Sequence, residues 1–124
     1  MSAPIVQRQP FVVPTTDGKL IEEHFGGVSL GSSEISIAHM VAPPQWSEPH
    51  QNPEFDEYTL MVSGRKQVEV DGKAVVLNAG ESLLVPKGSR VRYANPFDEP
   101  AEYWSVCRPA FSPKTVNREE PSGE

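Results

Sequence analysis

The sequence predicts one all-β domain, a small barrel of about eight short strands. Thirteen prolines and nine glycines in 124 residues leave few long windows without a helix breaker. Short segments that alternate apolar and polar residues recur roughly every ten residues with turn residues between them, and no window shows a sustained helical period. A chain of this length has the size of one domain and can bury a core without disulfides.

The strands can be assigned in chain order. Phe11 to Val13, on a proline-rich N-terminal arm, is available as an edge strand, and Leu20 to Phe25 is compatible with a strand or a helical turn. Ala42 to Pro49 holds three prolines and is predicted to be an ordered loop. Asp71-Gly72 is a strong signal for a two-residue hairpin. The remaining predicted strands are Glu34 to Val41, Glu57 to Val62, Lys66 to Val70, Lys73 to Leu77, Ser82 to Val85, Val91 to Ala94 and Glu102 to Cys107.

The charge balance and the apolar runs limit the classes of partner. The formal charge of −6, from 17 acidic and 11 basic residues, argues against a nucleic-acid or anionic-membrane partner. No run approaches the roughly 20 apolar residues of a membrane span, and no basic region precedes an apolar core at the N-terminus. The single cysteine, Cys107, excludes an internal disulfide and fits a reducing compartment. We therefore expect a soluble, cytoplasmic protein without a signal peptide.

Two segments carry a spaced pattern of residues. The first contains His50, Glu57 and Gly64, and the second contains Gly80, Pro86, Gly88 and Asn95. The pattern resembles the two motifs of the cupin family. The first family motif is His-x-His, three or four residues, Glu, six residues and Gly; the second is Gly, five residues, Pro-x-Gly, two residues, His, three residues and Asn. The resemblance extends from Glu48 to Cys107 and implies a double-stranded β-helix, or jelly-roll, barrel.

The resemblance also raises the question of a metal ion. In metal-binding cupins the histidines and the glutamate of the motifs hold a divalent transition metal. With the four-residue spacer, only His50 and Glu57 carry over, because Asn52 and Val91 stand where two histidines would be. Glu54 is a candidate substitute ligand, and Zn, Mn or Fe would suit such a set. A bound metal and a lost metal site both stay open. No phosphate-binding glycine-rich loop is present, so we expect no nucleotide cofactor.

Three residues are predicted to be catalytic. His50 is either a general acid or base, or a histidine hydrogen-bonded to a neighbouring carboxylate. Glu57 shares the strand phase of Met61 and should face the barrel interior, where an ionised carboxylate needs a partner. Tyr93 lies two residues beyond Val91 and should add a hydroxyl to an apolar wall.

The other expected pocket residues surround these three. Trp46 is interpreted either as a cover for the barrel mouth or as a packing residue without a further role. Cys107 is more simply an inert buried thiol than a reactive one, and His24 and His39 are interpreted as structural. The pocket residues predicted beside the catalytic group are Trp46, Glu48, Met61, Val91 and Cys107.

Domain organisation and function follow as expectations. We divide the single domain, 1–124, into an arm (1–18), a barrel core (19–108) and a polar C-terminal tail (109–124) whose last residues should be mobile. The resemblance implies a homodimer, with the arm docking across to the partner. It also implies an enzyme of the isomerase, lyase, cyclase or dioxygenase type, acting on a small polar or carbonyl-containing metabolite with or without a metal. The alternatives are a non-catalytic ligand-binding cupin and a structural or storage protein.

Overall fold

Ten β-strands and one short helix make up the regular structure of residues 3–119, the part of the chain that the computed structural model describes. Among these residues there is no helix whose length and apolar character would let it cross a membrane. The strands are β1 (Phe11–Val12), β2 (Leu20–Phe25), β3 (Ser36–Ala42), β4 (Trp46–Ser47), β5 (Asp56–Ser63), β6 (Lys66–Val70), β7 (Lys73–Leu77), β8 (Ser82–Val85), β9 (Val91–Asn95) and β10 (Ala101–Arg108), and the helix is α1 (Gly27–Leu30).

The strands form two antiparallel sheets. One has six strands in the order β1-β2-β3-β10-β5-β8, and the other has four in the order β4-β9-β6-β7. Alternate residues of each strand point to opposite faces, so on β5 Glu57, Thr59 and Met61 are buried while Tyr58 and Leu60 are exposed. The inward side chains of both sheets form one apolar core. The all-β jelly-roll prediction is confirmed.

Local signals predicted most of the strands closely. The bounds of β6, β7 and β8 are those expected from the sequence, and Leu20–Phe25 is a strand. The Asp71-Gly72 hairpin is present, with φ angles of 49° and 86°. The loop prediction for 42–49 was wrong at Trp46–Ser47, which forms β4 by pairing with the end of β9. The single turn of α1 was not predicted.

The turn between β5 and β6 requires glycine. Gly64 has a φ of 73°, a left-handed conformation that side chains with a Cβ adopt at a cost. A Cβ added there would also collide with the carbonyl oxygen of Pro100. This turn fixes where β6 begins, and therefore where Lys66 enters the barrel.

Both ends of the described chain pack against the barrel. β1 pairs with β2 of the same chain, and 13–19 then crosses the barrel mouth. In the C-terminal segment, Val116 is buried in a small cluster with Phe55 and Cys107. The mobility expected for the last residues concerns 120–124, which lie outside the described residues.

Candidate functional site

A cavity of about 430 Å³ occupies one end of the barrel interior. Side chains of both sheets line it, and 13–19 with Phe111 and Arg118 form its rim. Ile21, Ala38 and Met40 give it an apolar wall. The volume lies within the ~300–1,000 Å³ typical of small-molecule pockets.

The six-stranded sheet contributes a buried carboxylate. Because β5 and β10 are neighbours, Glu57 lies beside Ser105, whose Oγ donates a hydrogen bond of 2.7 Å to Glu57 Oε2. The Cys107 Sγ lies 4.0 Å from the Ser105 Oγ. Burial, and then the charge of Glu57, raise the pKa of the Cys107 thiol far above its usual range. The thiol is therefore protonated at neutral pH and is a poor nucleophile.

The four-stranded sheet contributes a buried amine. Lys66 shares the strand phase of Val68 and Val70 and is 2% exposed. Its Nζ lies 3.6 Å from the ring centroid of Tyr103 and 4.3 Å from that of Tyr93, contacts that stabilise a cation only in part. No ion pair found within residues 3–119 includes this amine. Burial lowers the pKa of Lys66 below its usual value.

A second amine enters the cavity from the rim. The Nζ of Lys19 lies 4.3 Å from the ring centroid of Trp46 and 5.5 Å from that of Tyr103. Burial lowers the pKa of Lys19, but the Tyr103 phenol oxygen and the Glu48 carboxylate raise it by more, so the net direction is upward. The positive charge of Lys19 in turn helps to lower the pKa of Lys66. One cavity thus holds two amines whose pKa values move in opposite directions.

Two buried tyrosine hydroxyls in the barrel interior make no direct hydrogen bond in the described part of the chain. The Oη atoms of Tyr93 and Tyr103 are buried and make no hydrogen bond within residues 3–119. An unsatisfied buried polar group costs about 1–3 kcal/mol. Burial raises the pKa of Tyr93 well above its usual value, and Glu57 adds to the effect. Tyr93 lines the cavity, and its buried hydroxyl is protonated at neutral pH.

The rim combines charge with an indole ring. Burial raises the pKa of the Glu48 carboxyl, whose Oε2 lies 3.8 Å from the Arg118 Nη2. The Trp46 Nε1 donates a hydrogen bond of 2.7 Å to Asp17 Oδ2, which joins the rim segment to β4.

The structure brings together five of the predicted pocket and catalytic residues. Met61 and Val91, which we predicted in the pocket, lie instead in the apolar core and do not line the cavity. His50 also does not line it: its Nε2 lies 2.9 Å from Glu69 Oε2. The predicted residues that do line the cavity are Trp46, Glu48, Glu57, Tyr93 and Cys107.

The four predicted metal ligands do not converge. Glu57 lies inside the barrel, His50 is paired with Glu69, and Asn52 and Glu54 are exposed. Within residues 3–119 no group of three or more His, Cys, Asp or Glu side chains is placed to hold a metal ion. The predicted ligand set does not fit a divalent metal in this arrangement.

A one-residue shift explains where His50 lies. Every second residue from Gln51 to Glu57 is buried, and those between are exposed or half-buried. The first motif therefore fits the barrel with its three-residue spacer, and Gln51 and Pro53 occupy the places of its histidines. The four-residue spacer instead assigns these places to His50 and Asn52, which are each one residue earlier. A shift of one residue along a strand moves every side chain to the opposite face, so His50 points away from the interior.

Sequence reasoning missed several polar residues of the cavity. For Lys66 a signal existed, because it shares the inward phase of Val68 and Val70 and charged residues rarely occupy such positions without a partner. Lys19 lies outside any predicted strand, and nothing local indicates its contact with Trp46. The missed residues include Lys19, Gln51, Lys66, Ser105 and Arg118.

Comparison with known proteins places this cavity in a recognised fold family. The profile described as Cupin domain matches residues 38–107. The chain is 44% identical over 114 residues to endoribonuclease YbeY of Myxococcus xanthus, an alignment that covers 92% of this chain and 39% of that protein. It is 32% identical over 98 residues to polyketide synthase CurC of Streptomyces cyaneus, covering 77% of this chain and 63% of that protein. The chain thus spans less than two thirds of the length of these curated relatives.

A third relative and two solved structures are also similar. The tetracenomycin polyketide synthase protein TcmJ of Streptomyces glaucescens is 32% identical over 74 residues, covering 59% of this chain and 50% of that protein. KdgF from Halomonas sp. superposes with a TM-score of 0.72 at 11% identity, covering 90% of this chain and 97% of that one. An RmlC-like cupin from Shewanella frigidimarina gives a TM-score of 0.71 at 18% identity, covering 89% and 93%. At these identities the two structures support the fold alone.

Proposed function

The chain belongs to the cupin domain family, and we propose that it is an enzyme that binds a small metabolite with an apolar body and a carbonyl-containing head in the barrel interior. One observation carries the proposal: the Lys66 amine lies in the cavity without an ion pair within residues 3–119. A buried amine without a partner is unfavourable. A ligand oxygen is the complement that this amine needs.

The remaining walls suit the rest of such a ligand. Ile21, Ala38 and Met40 offer apolar contacts, and the Trp46 ring adds an aromatic surface at the rim. Two relatives are named as polyketide synthase proteins, and a polyketide chain carries ketone groups on a carbon backbone. This supports a ligand of the ketone class, with a size limit of about 430 Å³.

The same geometry supports acid–base chemistry next to a carbonyl. A carbonyl oxygen that accepts a hydrogen bond from Lys66 withdraws electron density from its carbon, which makes a neighbouring C–H bond more acidic. Glu57 lines the same cavity and supplies a carboxylate as a candidate proton acceptor. Isomerases, lyases and cyclases that act on carbonyl compounds share this proton transfer, so these are the reaction classes that we propose.

A binding protein without chemistry is the second candidate. The hydrogen bond from Ser105 already occupies one oxygen of Glu57, and the buried Lys66 amine needs a ligand but no reaction. In that case the protein binds a small molecule in the cavity but does not convert it into a product.

A ligand screen tests the proposal. The protein is incubated with pooled small ketones, aldehydes and keto acids, with and without Zn, Mn or Fe, and mass spectrometry follows both retention and consumption. We expect Lys66→Met to weaken binding of the retained compound by at least about tenfold, since a hydrogen bond from a charged or strongly polar donor contributes ~1.5–3 kcal/mol. Lys73→Met, at an exposed position of β7, is the matched control. Equal affinity in wild type and Lys66→Met would contradict the proposal.

A second variant separates the enzyme from the binding protein. Glu57→Gln keeps the size of the side chain and can still accept the hydrogen bond from Ser105, but it cannot take up a proton. For the enzyme we expect turnover to be lost while affinity stays within about tenfold. Retention without consumption under every metal condition would favour the non-catalytic alternative.

A further inference from the structure

The Lys66 amine is more readily available in its unprotonated, nucleophilic form than the amine of a surface lysine. An amine attacks a carbonyl carbon with its nitrogen lone pair, and that lone pair is free only when the amine is unprotonated. An ordinary lysine is almost fully protonated at neutral pH. Burial and the nearby charge of Lys19 lower the pKa of Lys66, so a larger fraction of this amine is neutral. Lys66 also lines a cavity large enough for a small molecule.

Lys19 provides the contrasting group in the same cavity. Its pKa is raised, with the Tyr103 phenol and Glu48 outweighing burial, and its amine lies over the Trp46 ring at the rim. A carbonyl compound that enters therefore meets a cation near the rim and a more nucleophilic amine deeper in the barrel. Environments that move the pKa values of two like groups apart commonly mark different chemical roles.

From this geometry we propose that Lys66 is a nucleophile that forms an imine with the carbonyl carbon of an aldehyde or ketone bound in the cavity. The inference rests on the proposed function in one respect, since a carbonyl compound must enter the barrel. It adds a covalent carbon–nitrogen bond, whereas the proposed function requires only a hydrogen bond from the amine.

The step balances without an oxidant or a reductant. The lone pair of Lys66 Nζ forms the new N–C bond, and the C=O π pair moves to the oxygen. A solvent water carries one of the two nitrogen protons to that oxygen, which leaves a neutral carbinolamine. The nitrogen lone pair next forms the C=N bond as the hydroxyl group leaves, and the remaining N–H proton completes a water molecule. One carbonyl compound and one amine thus give one imine and one water.

Reductive trapping on the full-length protein tests the inference. Benzaldehyde is the probe, and sodium cyanoborohydride converts an imine into a stable secondary amine, which adds one benzyl group to the mass. Peptide mapping then compares the chain's five lysines. We expect Lys66 to be labelled at least about tenfold faster than each exposed lysine, because its lowered pKa leaves more of the amine neutral and the cavity holds the aldehyde next to it. The exposed reference positions are Lys73, Lys87 and Lys114.

Variants show whether the label depends on this amine. Lys66→Arg keeps a positive charge but cannot form the imine under these conditions, and Lys66→Met removes the nitrogen. In both we expect the fast label to disappear while labelling of the surface lysines is unchanged; Lys73→Arg should keep the fast label. Labelling of Lys66 at or below the rate of the surface lysines in the wild-type protein overturns the inference, even if neither Lys66 variant folds.

A binding measurement separates the failure of this inference from that of the proposed function. Saturation-transfer NMR reports whether benzaldehyde binds, with benzyl alcohol as a probe that cannot form an imine. Binding of benzaldehyde without a fast label at Lys66 overturns the imine and leaves the proposed function standing. If none of the screened carbonyl compounds binds, both are overturned.

Discussion

The outer face of the six-stranded sheet and the barrel interior each hold a basic side chain among carboxylates and aromatic rings. On the outer face, His39 of β3 has both ring nitrogens against carboxylates: Nδ1 lies 2.8 Å from Glu22 Oε1 and Nε2 lies 2.7 Å from Glu102 Oε2. In the interior, the Lys66 Nζ lies over the rings of Tyr93 and Tyr103 and makes no ion pair within the described residues.

The pKa directions follow from this difference. Burial lowers the pKa of His39, but Glu102 and Glu22 raise it by more, so folding favours the charged imidazole. For Lys66, burial prevails and folding disfavours the charged amine. Both ring nitrogens of His39 have carboxylate partners, whereas the Lys66 amine has no ion pair within residues 3–119. A basic group without an ion pair in a cavity is therefore a better candidate for ligand binding than one held between two carboxylates.

Truncation of neighbouring residues on β5 should show the largest contrast between the two regions. Met61 points inward and is 5% exposed, while Leu60 points outward and is 45% exposed. We expect Met61→Ala to lower the free energy of unfolding by about 3 kcal/mol and Leu60→Ala by no more than about 0.5 kcal/mol. Urea denaturation monitored by circular dichroism measures both.

The same pair of variants tests the expected homodimer. If a second copy covers the outer face, Leu60→Ala should lower stability more at high than at low protein concentration, and light scattering should show that the variant dissociates. A protein that is monomeric at tens of micromolar would contradict the dimer and leave the contrast between the two faces intact. Because β1 pairs with β2 of the same chain, any docking of the arm onto a partner stays a prediction.

Replacing the interior lysine should stabilise the fold. Lys66→Met removes a buried amine without an ion pair, and we expect the free energy of unfolding to rise by about 2 kcal/mol at about pH 7. The pKa of Lys66 is lower in the folded chain than in the unfolded chain. At pH values between these two pKa values, the unfolded chain therefore binds more protons than the folded one. The gain should therefore be complete below the folded pKa and shrink as the pH rises toward ~10.4. Chemical denaturation across this range measures it, and an equal gain in Lys73→Met would contradict the assignment.

The outer histidine should show a smaller effect of opposite sign. The folded pKa of His39 is raised, so its stabilising contribution is present in full below the unfolded pKa of ~6.5 and is lost as the pH rises through the folded value. We expect His39→Gln to lower the free energy of unfolding by about 1 kcal/mol at about pH 5.5 and by little at about pH 9. His24→Gln is the control, because the His24 ring packs against Trp104 at a tilt of 54° and makes no ion pair within residues 3–119. The same loss at both pH values would contradict the charged pair.

The fold was predictable where local signals were enough. β6, β7 and β8 are bounded by turn residues, so their bounds could be read from the sequence. β4 has two residues in a proline-rich loop and exists because Trp46 and Ser47 pair with Asn95 and Ala94 of β9. That pairing is a tertiary contact with no local signature.

The site was only half predictable for the same physical reason. Strand alternation correctly placed Glu57 and Tyr93 facing the cavity. His50 was misplaced because the family motif permits two spacer lengths and only the fold distinguishes them. Lys19 and Trp46 are far apart in sequence, and their contact forms only when the rim segment crosses the barrel mouth.

Of the chain's two tryptophans, one lies at the barrel interior and the other on the outer face of the six-stranded sheet. Trp46 faces the cavity beneath the Lys19 amine, whereas Trp104 lies among His24 and His39, with ring centroids 5.0 and 5.1 Å away. Indole fluorescence responds to charge and polarity close to the ring. Ligand entry should therefore change the emission of Trp46, and deprotonation of His39 should change that of Trp104. With Trp46→Phe and Trp104→Phe to separate the signals, the unlabelled protein can report the occupancy of its cavity and the ionisation of its outer face in one spectrum.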